Sequence, residues 1–232
     1  MHSARPAAPA PTPPRPPHSP VTAPALMGMV CAALSVVLLV LVAAAWSPLV
    51  SVDLVVATSL HRSAVAEPGF THANRVLTDW VWDPWTMRAL AASAALWLWL
   101  RHERPLAVCV VLTSALGTAV QQGVKAAVGR ERPYWPDPVD SAHFTAYPSG
   151  HAMTAVVTLG LLLWLLRRHG VAGVLWGWCV AVAAVSVAGV GFTRAYLGVH
   201  WLTDVLGGWL LGACLVACAM ATYERVALSR GH

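Results

Sequence analysis

The sequence predicts an all-α protein, a six-transmembrane-helix bundle whose candidate active site lies at the outer membrane face. Two compositional observations lead to this fold class: 57% of the residues are hydrophobic and only 11% are charged, whereas soluble domains average about 25% charged residues. The third observation is that the apolar residues are gathered into long blocks nearly free of charge, as helices surrounded by lipid require. An ordinary soluble fold is excluded.

The first 24 residues differ from the rest of the chain. They contain nine of the 17 prolines, among Ala, Ser and Thr, and so have no apolar face to bury. We therefore predict a disordered cytoplasmic tail at 1–24, a transmembrane domain at 25–223 and a short cytoplasmic tail at 224–232.

Six apolar blocks follow the tail, most of them close to the ~20 residues that span a bilayer. The second block is short, but tryptophans at both of its ends are typical of interface anchors. The first block could instead be a signal peptide, because Ala43–Ala45 is similar to a cleavage site, although its apolar stretch is too long for a typical signal. The blocks are 26–46, 85–100, 106–124, 149–166, 171–192 and 202–222.

The basic residues of the short connections predict the orientation, since positive loops stay on the cytoplasmic side. With six spans, four basic clusters fall on one side: Arg5 and Arg15 of the tail, Arg101 and Arg104, Arg167 and Arg168, and Arg225 and Arg230. The opposite side receives loops 47–84, 125–148 and 193–201, and the middle one breaks the rule because it contains Lys125, Arg130 and Arg132. An inverted topology would place four basic clusters outside, so these three charges instead need a functional reason.

Cysteine usage and net charge exclude two other classes of function. All five cysteines lie inside the apolar blocks without metal-ligand spacing, which indicates small hydrophobic residues. The formal charge of +5 is spread over block ends and one loop, whereas nucleic-acid binding needs a continuous basic face.

Two polar motifs lie at the outer ends of spans three and four. Lys125 and Arg132, seven residues apart, could be a snorkelling cap and a loop arginine, or they could bind an anion. Ser149 and Gly150, after Pro148, are typical of a helix start, whose free N–H groups suit phosphate oxygens. His151 would lie beside that site, unless it is only an interfacial histidine.

The third motif runs from the end of span five into span six. His200 and Asp204 are four residues apart and therefore share a helical face, where the carboxylate can accept a proton from one imidazole nitrogen. An aspartate inside an apolar span is costly unless it is paired. Arg194, Lys125 and Arg132 are predicted to lie at the same membrane face as the two histidines and the aspartate. Three cations at one point need an anion, and a phosphoryl group is the anion that this cluster predicts.

The three motifs together resemble the signature of the type 2 phosphatidic acid phosphatase and vanadium haloperoxidase superfamily, in its membrane lipid phosphatase branch. They read Lys125-x6-Arg132-Pro133, Pro148-Ser149-Gly150-His151 and Arg194-x5-His200-x3-Asp204. One departure is Thr193, where the family's third motif usually has serine before the arginine; the hydroxyl is kept.

The resemblance implies a metal-independent lipid phosphatase that needs no cofactor. His200 would be the nucleophile, forming a phosphohistidine, with Asp204 orienting it and His151 protonating the leaving group. Phosphate oxygens would be bound by Lys125, Arg132, Arg194 and the backbone near Ser149 and Gly150. The substrate would be a lipid phosphate or diphosphate, with undecaprenyl diphosphate, phosphatidylglycerol phosphate and phosphatidic acid as candidates. An outward site favours undecaprenyl diphosphate and the bacterial plasma membrane.

Three alternatives stay open. A membrane transporter would also place ionisable residues within spans, although near mid-membrane or on both faces. A non-catalytic lipid-phosphate-binding protein of the same fold would keep the motifs without turnover. A haloperoxidase would use the same residues for vanadate, but those relatives are soluble. The sequence does not predict the oligomeric state.

Overall fold

The computed structural model describes residues 22–229, and most of these are helical. No strand occurs within those residues, so the predicted all-α class is confirmed. Residues 1–21 of the predicted tail, and residues 230–232, lie outside the described range. The α-helices are α1 (Thr22–Ala43), α2 (Ser47–Ala66), α3 (Pro68–Val76), α4 (Pro84–Leu100), α5 (Arg104–Val128), α6 (Gly150–Arg168), α7 (Gly173–Tyr196) and α8 (Leu202–Ser229).

Six described helices are long and apolar enough to cross a membrane: α1, α2, α5, α6, α7 and α8. All of these except α2 coincide with predicted spans. The remaining predicted span is α4, whose 17 residues rise about 26 Å. It nevertheless runs the length of the bundle. At its start, the negative charge of Asp83 interacts with the positive charge of Arg194 in the last turn of α7. Near its other end, the ring of Trp97 packs on His169, just beyond the end of α6, with ring centroids 4.9 Å apart.

The predicted loop 47–84 is mostly helical, which corrects the sequence interpretation. It contains α2, α3 and a π-helical turn at Leu77–Val81. The α2 side chains that face the protein are Asp53, Ala57, His61 and Ala64, two polar and two small. Because this stripe carries no large apolar residue, it lacks the periodicity by which an amphipathic helix is recognised.

Helix α2 lies across one end of the bundle. Asp53 bonds to Thr203 at the start of α8, with the backbone N–H of Thr203 3.0 Å from the carboxylate. Ala64, eleven residues later, packs against the residues that follow α7. Both contacts are at the same end although about 16 Å of helix separates them. The bundle is therefore formed by α1 and α4–α8, and α2 covers the end where α7 meets α8.

Helix boundaries extend beyond several predicted blocks. α5 continues through Lys125 to Val128 and ends at Gly129, whose φ of 61° is the left-handed conformation typical of a helix C-terminus. Lys125 thus lies in the last turn of α5 rather than in a loop. At the other terminus, α8 continues to Ser229, through much of the predicted tail at 224–232.

Glycines allow the starts of α6 and α8 to approach closely. A Cβ at Gly208 would lie 2.7 Å from the carbonyl oxygen of Ser149 and 3.1 Å from the nitrogen of Met153. A Cβ at Gly212 would lie 3.0 Å from the carbonyl oxygen of Met153. Small residues at such positions let transmembrane helices pack backbone to backbone. This contact brings the two histidine-bearing segments together.

Aromatic residues mark both ends of the bundle. At the end far from α2, Arg101, Arg104 and Arg167 each place a guanidinium over a tryptophan ring, at 5.2–5.6 Å from its centroid. At the end covered by α2, large aromatic side chains are exposed to 75% or more: Trp80, Trp85, Tyr134 and Phe144. Such belts are typical of the two membrane interfaces.

Candidate active site

His200 lies in the short turn between α7 and α8, at the end covered by α2. Its Nδ1 is 3.3 Å from Asp204 Oδ2, and its Nε2 is 3.1 Å from a terminal nitrogen of Arg132. A guanidinium can only donate hydrogen bonds, so Nε2 is the acceptor and the proton is on Nδ1. This tautomer leaves the lone pair of Nε2 pointing at the cation cluster.

Burial and three positive charges keep His200 neutral. The side chain is 2% exposed. Burial first, and then the charges of Arg132, Arg194 and Lys125, hold the pKa of His200 well below its usual range. The unprotonated imidazole is the form that can act as a nucleophile.

Asp204 is fixed by contacts on both of its oxygens. Oδ2 accepts the backbone N–H of Trp201 at 2.9 Å, an arrangement found where a carboxylate in the first turn reaches back to cap its own helix. Oδ1 accepts from Arg130 at 2.7 Å. Asp204, which contacts His200, is therefore itself fixed by Arg130 and by the backbone of Trp201.

Arg130 connects two buried carboxylates from different elements. One nitrogen donates to Asp204, and another donates to Asp53 Oδ2 of α2 at 2.7 Å. Asp53 also accepts the hydroxyl of Thr203 at 2.5 Å. Sequence reasoning placed neither residue in the site: Arg130 was counted only as an exception to the charge rule, and Asp53 lay in the presumed loop 47–84. One signal in the sequence could have identified them, because an arginine in an outer loop needs a carboxylate partner.

Lys125 and Arg132 are brought to His200 from the last turn of α5 and the start of the connection that follows it. The ammonium of Lys125 donates to the carbonyl oxygens of Thr145 and Ala146, the second at 3.3 Å. Arg132 donates to the carbonyls of His143, Phe144 and Val199 as well as to His200. Carbonyl groups of loop 129–149 thus surround both cations.

Ser149, Gly150 and His151 form the start of α6, beside Asp204. The N–H of Ser149 donates to the carbonyl oxygen of Asp204 at 2.9 Å, so this group already has an acceptor and the predicted role of its N–H needs correction. Gly150 and His151 begin the helix, and their N–H groups have no acceptor within it. A Cβ at Gly150 would lie 2.5 Å from Gln121 Nε2, so the position admits only glycine without movement.

Arg194 is 4% exposed and comes from the last turn of α7. Its nearest carboxylate is Asp140 at 4.0 Å, and its contact with the hydroxyl of Thr78 is long, at 3.4 Å. Arg194 Nε and Ser149 Oγ are among the buried side-chain atoms of residues 22–229 that have no hydrogen-bond partner. The hydroxyl of Thr193 donates to Val190 of its own helix and does not contribute to the site.

All eight predicted site residues therefore lie at one end of the bundle. His151 lies within electrostatic range of Arg194, Arg132 and His200. The second motif is therefore close to the third. Within the described residues, no group of three or more His, Cys, Asp or Glu side chains is placed to hold a metal ion. The arrangement offers a neutral imidazole, a second imidazole and three cations around one point, which suits an anion with several oxygens.

Comparison with known proteins agrees with this chemistry. The sequence model of the PAP2 superfamily matches residues 106–227. An undecaprenyl-diphosphatase of Sulfolobus acidocaldarius is 28% identical over 58% of this chain and 60% of its own length. Phosphatidylglycerophosphatase B of Bacillus subtilis is 36% identical over 43% of this chain and 49% of its own length. A putative undecaprenyl-diphosphatase of Escherichia coli is 31% identical over 56% of this chain.

A solved structure has the same fold. The transmembrane PAP2 type phosphatidylglycerolphosphate phosphatase of Bacillus subtilis superposes with a TM-score of 0.60 at 20% identity, covering 88% of this chain and 96% of that one. The sequence matches above cover about half to three fifths of the curated relatives' own lengths.

Proposed function

Because the chain belongs to the PAP2 superfamily, we propose that it is a multi-pass membrane phosphatase that removes phosphate from a lipid phosphate or diphosphate. The observation that carries this proposal is the pair of buried donors, Arg194 Nε and Ser149 Oγ, which have no partner among the described residues. Leaving a buried donor without a partner costs about 1–3 kcal/mol. A phosphoryl group would supply acceptors to both.

The reaction begins at His200. Nε2 forms a bond to phosphorus while the bond from phosphorus to the leaving oxygen breaks, and Asp204 accepts the hydrogen bond of Nδ1–H throughout. Arg132, which donates to Nε2 in this structure, transfers its hydrogen bond to a phosphate oxygen and so frees the lone pair. Lys125 and Arg194 bind the other oxygens.

His151 moves the protons. The negative charge of the bound phosphate offsets the surrounding arginines and favours the imidazolium, which protonates the leaving oxygen. Water then attacks the phosphohistidine and gives its proton to His151, which restores both histidines and releases phosphate. This cycle asks for no metal.

The substrate and the orientation are part of the proposal. The names of the relatives support a polyprenyl diphosphate or a phosphatidylglycerol phosphate, and we place undecaprenyl diphosphate first. The basic residues at the far end of the bundle support a site that faces away from the cytoplasm of a bacterial plasma membrane.

The test is phosphate release by the purified protein from undecaprenyl diphosphate, undecaprenyl phosphate, phosphatidylglycerol phosphate and phosphatidic acid, in excess EDTA. We expect turnover of at least one lipid, inhibition by vanadate, and loss of activity by about 10³-fold or more in His200→Asn. His151→Ala should be severely impaired, and it should accumulate a base-stable, acid-labile phosphoenzyme only with a substrate whose leaving group departs without a proton. Activity that EDTA abolishes and magnesium restores, or normal turnover by His200→Asn, would refute the mechanism.

A further inference from the structure

A further cation, Arg88, lies beside the site without belonging to any of the three motifs. It is in the second turn of α4, with its guanidinium 5.1 Å from the centroid of the Trp85 ring. Its positive charge acts on His151 together with those of Arg194 and Arg132. No carboxylate of residues 22–229 lies within 4.0 Å of it. The mechanism described above gives this charge no role.

Arg88 lines a small pocket between α4, α5 and α6. Four of the other lining residues carry hydroxyl groups, Ser114, Thr118, Thr154 and Thr158, and the remaining ones are Gly117, Met153 and Val157. Thr154 is one helical turn below His151, so the pocket lies directly beneath that histidine. The hydroxyl of Thr158 donates to the carbonyl oxygen of Met87 at 3.3 Å, which fixes α4 against α6 at this level.

The pocket also contains a donor without a partner. Ser114 Oγ is buried and has no hydrogen-bond partner among the described residues. An arginine without a carboxylate and a hydroxyl without an acceptor together indicate a ligand with negatively charged oxygens. The pocket volume of about 10 Å³ is room for one water molecule, so such a ligand would lie at its rim, beside Arg88.

The direction of phosphoryl transfer identifies that ligand. The attacking and leaving atoms lie on opposite sides of phosphorus, so a phosphoryl group attacked by His200 directs its leaving oxygen toward His151 and hence toward Arg88. For a lipid monophosphate the leaving group is an alkoxide, and one proton from His151 neutralises it. For a lipid diphosphate the leaving group is itself a phosphate, which keeps a negative charge after that proton is transferred.

We propose that Arg88, at the rim of this pocket, binds the second phosphate of a lipid diphosphate and so makes the enzyme select diphosphates over monophosphates. The proposal rests on the phosphatase activity proposed above. In the reaction, the bond between the terminal phosphorus and the bridging oxygen breaks, the bridging oxygen takes the proton of His151, and Arg88 holds the lipid monophosphate that leaves.

The experiment compares Arg88→Gln with the unmodified protein on two substrates that have the same polyprenyl chain, one a diphosphate and one a monophosphate. A charge-assisted hydrogen bond contributes enough that kcat/KM for the diphosphate should fall about 10- to 100-fold, while kcat/KM for the monophosphate should change less than about 3-fold. Arg88→Lys should recover part of the loss. Inhibition by methylenediphosphonate should weaken in Arg88→Gln, and inhibition by orthophosphate should not.

The matched control is Arg101→Gln, at the other end of the same helix, where the guanidinium also packs on a tryptophan, at 5.6 Å from the centroid of Trp97. It should leave both substrates unchanged. An equal loss for both substrates in Arg88→Gln, or a protein that prefers monophosphates, would overturn the proposal while the phosphatase activity stands. If the unmodified protein hydrolyses neither lipid, the proposed function itself fails.

Discussion

His200 is held in one tautomer by two neighbours with opposite requirements. Asp204 accepts a hydrogen bond from Nδ1–H, and Arg132 donates one to Nε2. The backbone N–H of His200 donates to the carbonyl oxygen of Arg194 at 3.2 Å. Ring and backbone are therefore both oriented before a substrate binds, which reduces the entropy that the reaction must overcome.

The neutrality of His200 makes stability depend on pH. Its pKa is held well below the ordinary value of 6.5, chiefly by burial, so below pH 6.5 the unfolded chain binds a proton that the folded protein does not. The stability that neutral His200 contributes is therefore complete above pH 6.5 and decreases as the pH falls below 6.5. The free energy of unfolding then decreases by up to about 1.4 kcal/mol per pH unit for this one proton.

We expect the melting temperature in detergent to fall between pH 7 and pH 5, and His200→Asn to reduce that slope because the amide cannot take up the proton. The matched control is His102→Asn, an exposed histidine at the far end of the bundle with a φ of 64°, which asparagine tolerates. If His102→Asn reduces the slope and His200→Asn does not, the assignment to His200 is wrong.

At the scale of helices, the contact between α6 and α8 sets the separation of the two segments that carry His151 and His200. Gly208→Ala would press a methyl group against the backbone at Ser149, and backbone cannot move aside as a flexible side chain can. We expect a loss of kcat of at least about 10²-fold, since a displacement near 1 Å is enough for that.

The control for Gly208→Ala is Gly177→Ala in α7, where a Cβ would meet nothing within 4 Å. Alanine is the better helix former by about 1 kcal/mol, so this variant should keep full activity and melt at the same or a higher temperature. Equal activity of the two variants, measured as phosphate release, would show that the close contact does not position the site.

Helix α2 is attached to the site through Asp53. Asp53→Asn removes the charge that pairs with Arg130 while keeping the shape of the side chain, and truncating one partner of a buried charged pair costs about 3–5 kcal/mol. We expect faster hydrogen exchange of the α2 amides and a lower kcat with little change in KM, because Arg130 would then hold Asp204 less rigidly.

The control for Asp53→Asn is Asp83→Asn, at the same end of the bundle, where the carboxylate accepts a hydrogen bond from its own helix, at 2.7 Å from the nitrogen of Trp85, and not from α8. It should leave exchange in α2 unchanged. Exchange that rises in both variants would mean that α2 is not tied to the site through Asp53.

The spans were predictable because lipid-facing helices need long apolar runs, and the three motifs were predictable because ionisable groups at span ends are rare. The roles of Lys125, His151 and His200 stay predictions. Helix α2 could not be recognised, since its buried face consists of polar and small residues. Asp53 and Arg88 were missed because their surroundings come from distant parts of the chain: Arg130 and Thr203 around Asp53, and the pocket residues of α5 and α6 around Arg88.

At the scale of the whole molecule, the distribution of charge predicts the orientation in the membrane. We expect Ser141→Cys, in a background without the native cysteines, to react with a membrane-impermeant maleimide in intact cells, because Ser141 is exposed in the loop that carries Arg132. His169→Cys, at the far end, should react only after permeabilisation. The reverse pattern would turn the site toward the cytoplasm and remove the main argument for an undecaprenyl carrier.

The exposed aromatic side chains around the site, Trp80, Trp85, Tyr134 and Phe144, have a kinetic consequence. Aromatic rings of this kind settle at the headgroup layer, so the mouth of the site opens where lipid phosphates already reside. The enzyme would then respond to a two-dimensional concentration. At a fixed mole fraction of substrate in mixed micelles, adding more micelles should leave the rate unchanged, whereas diluting the substrate with detergent should lower it, even though its molarity stays the same.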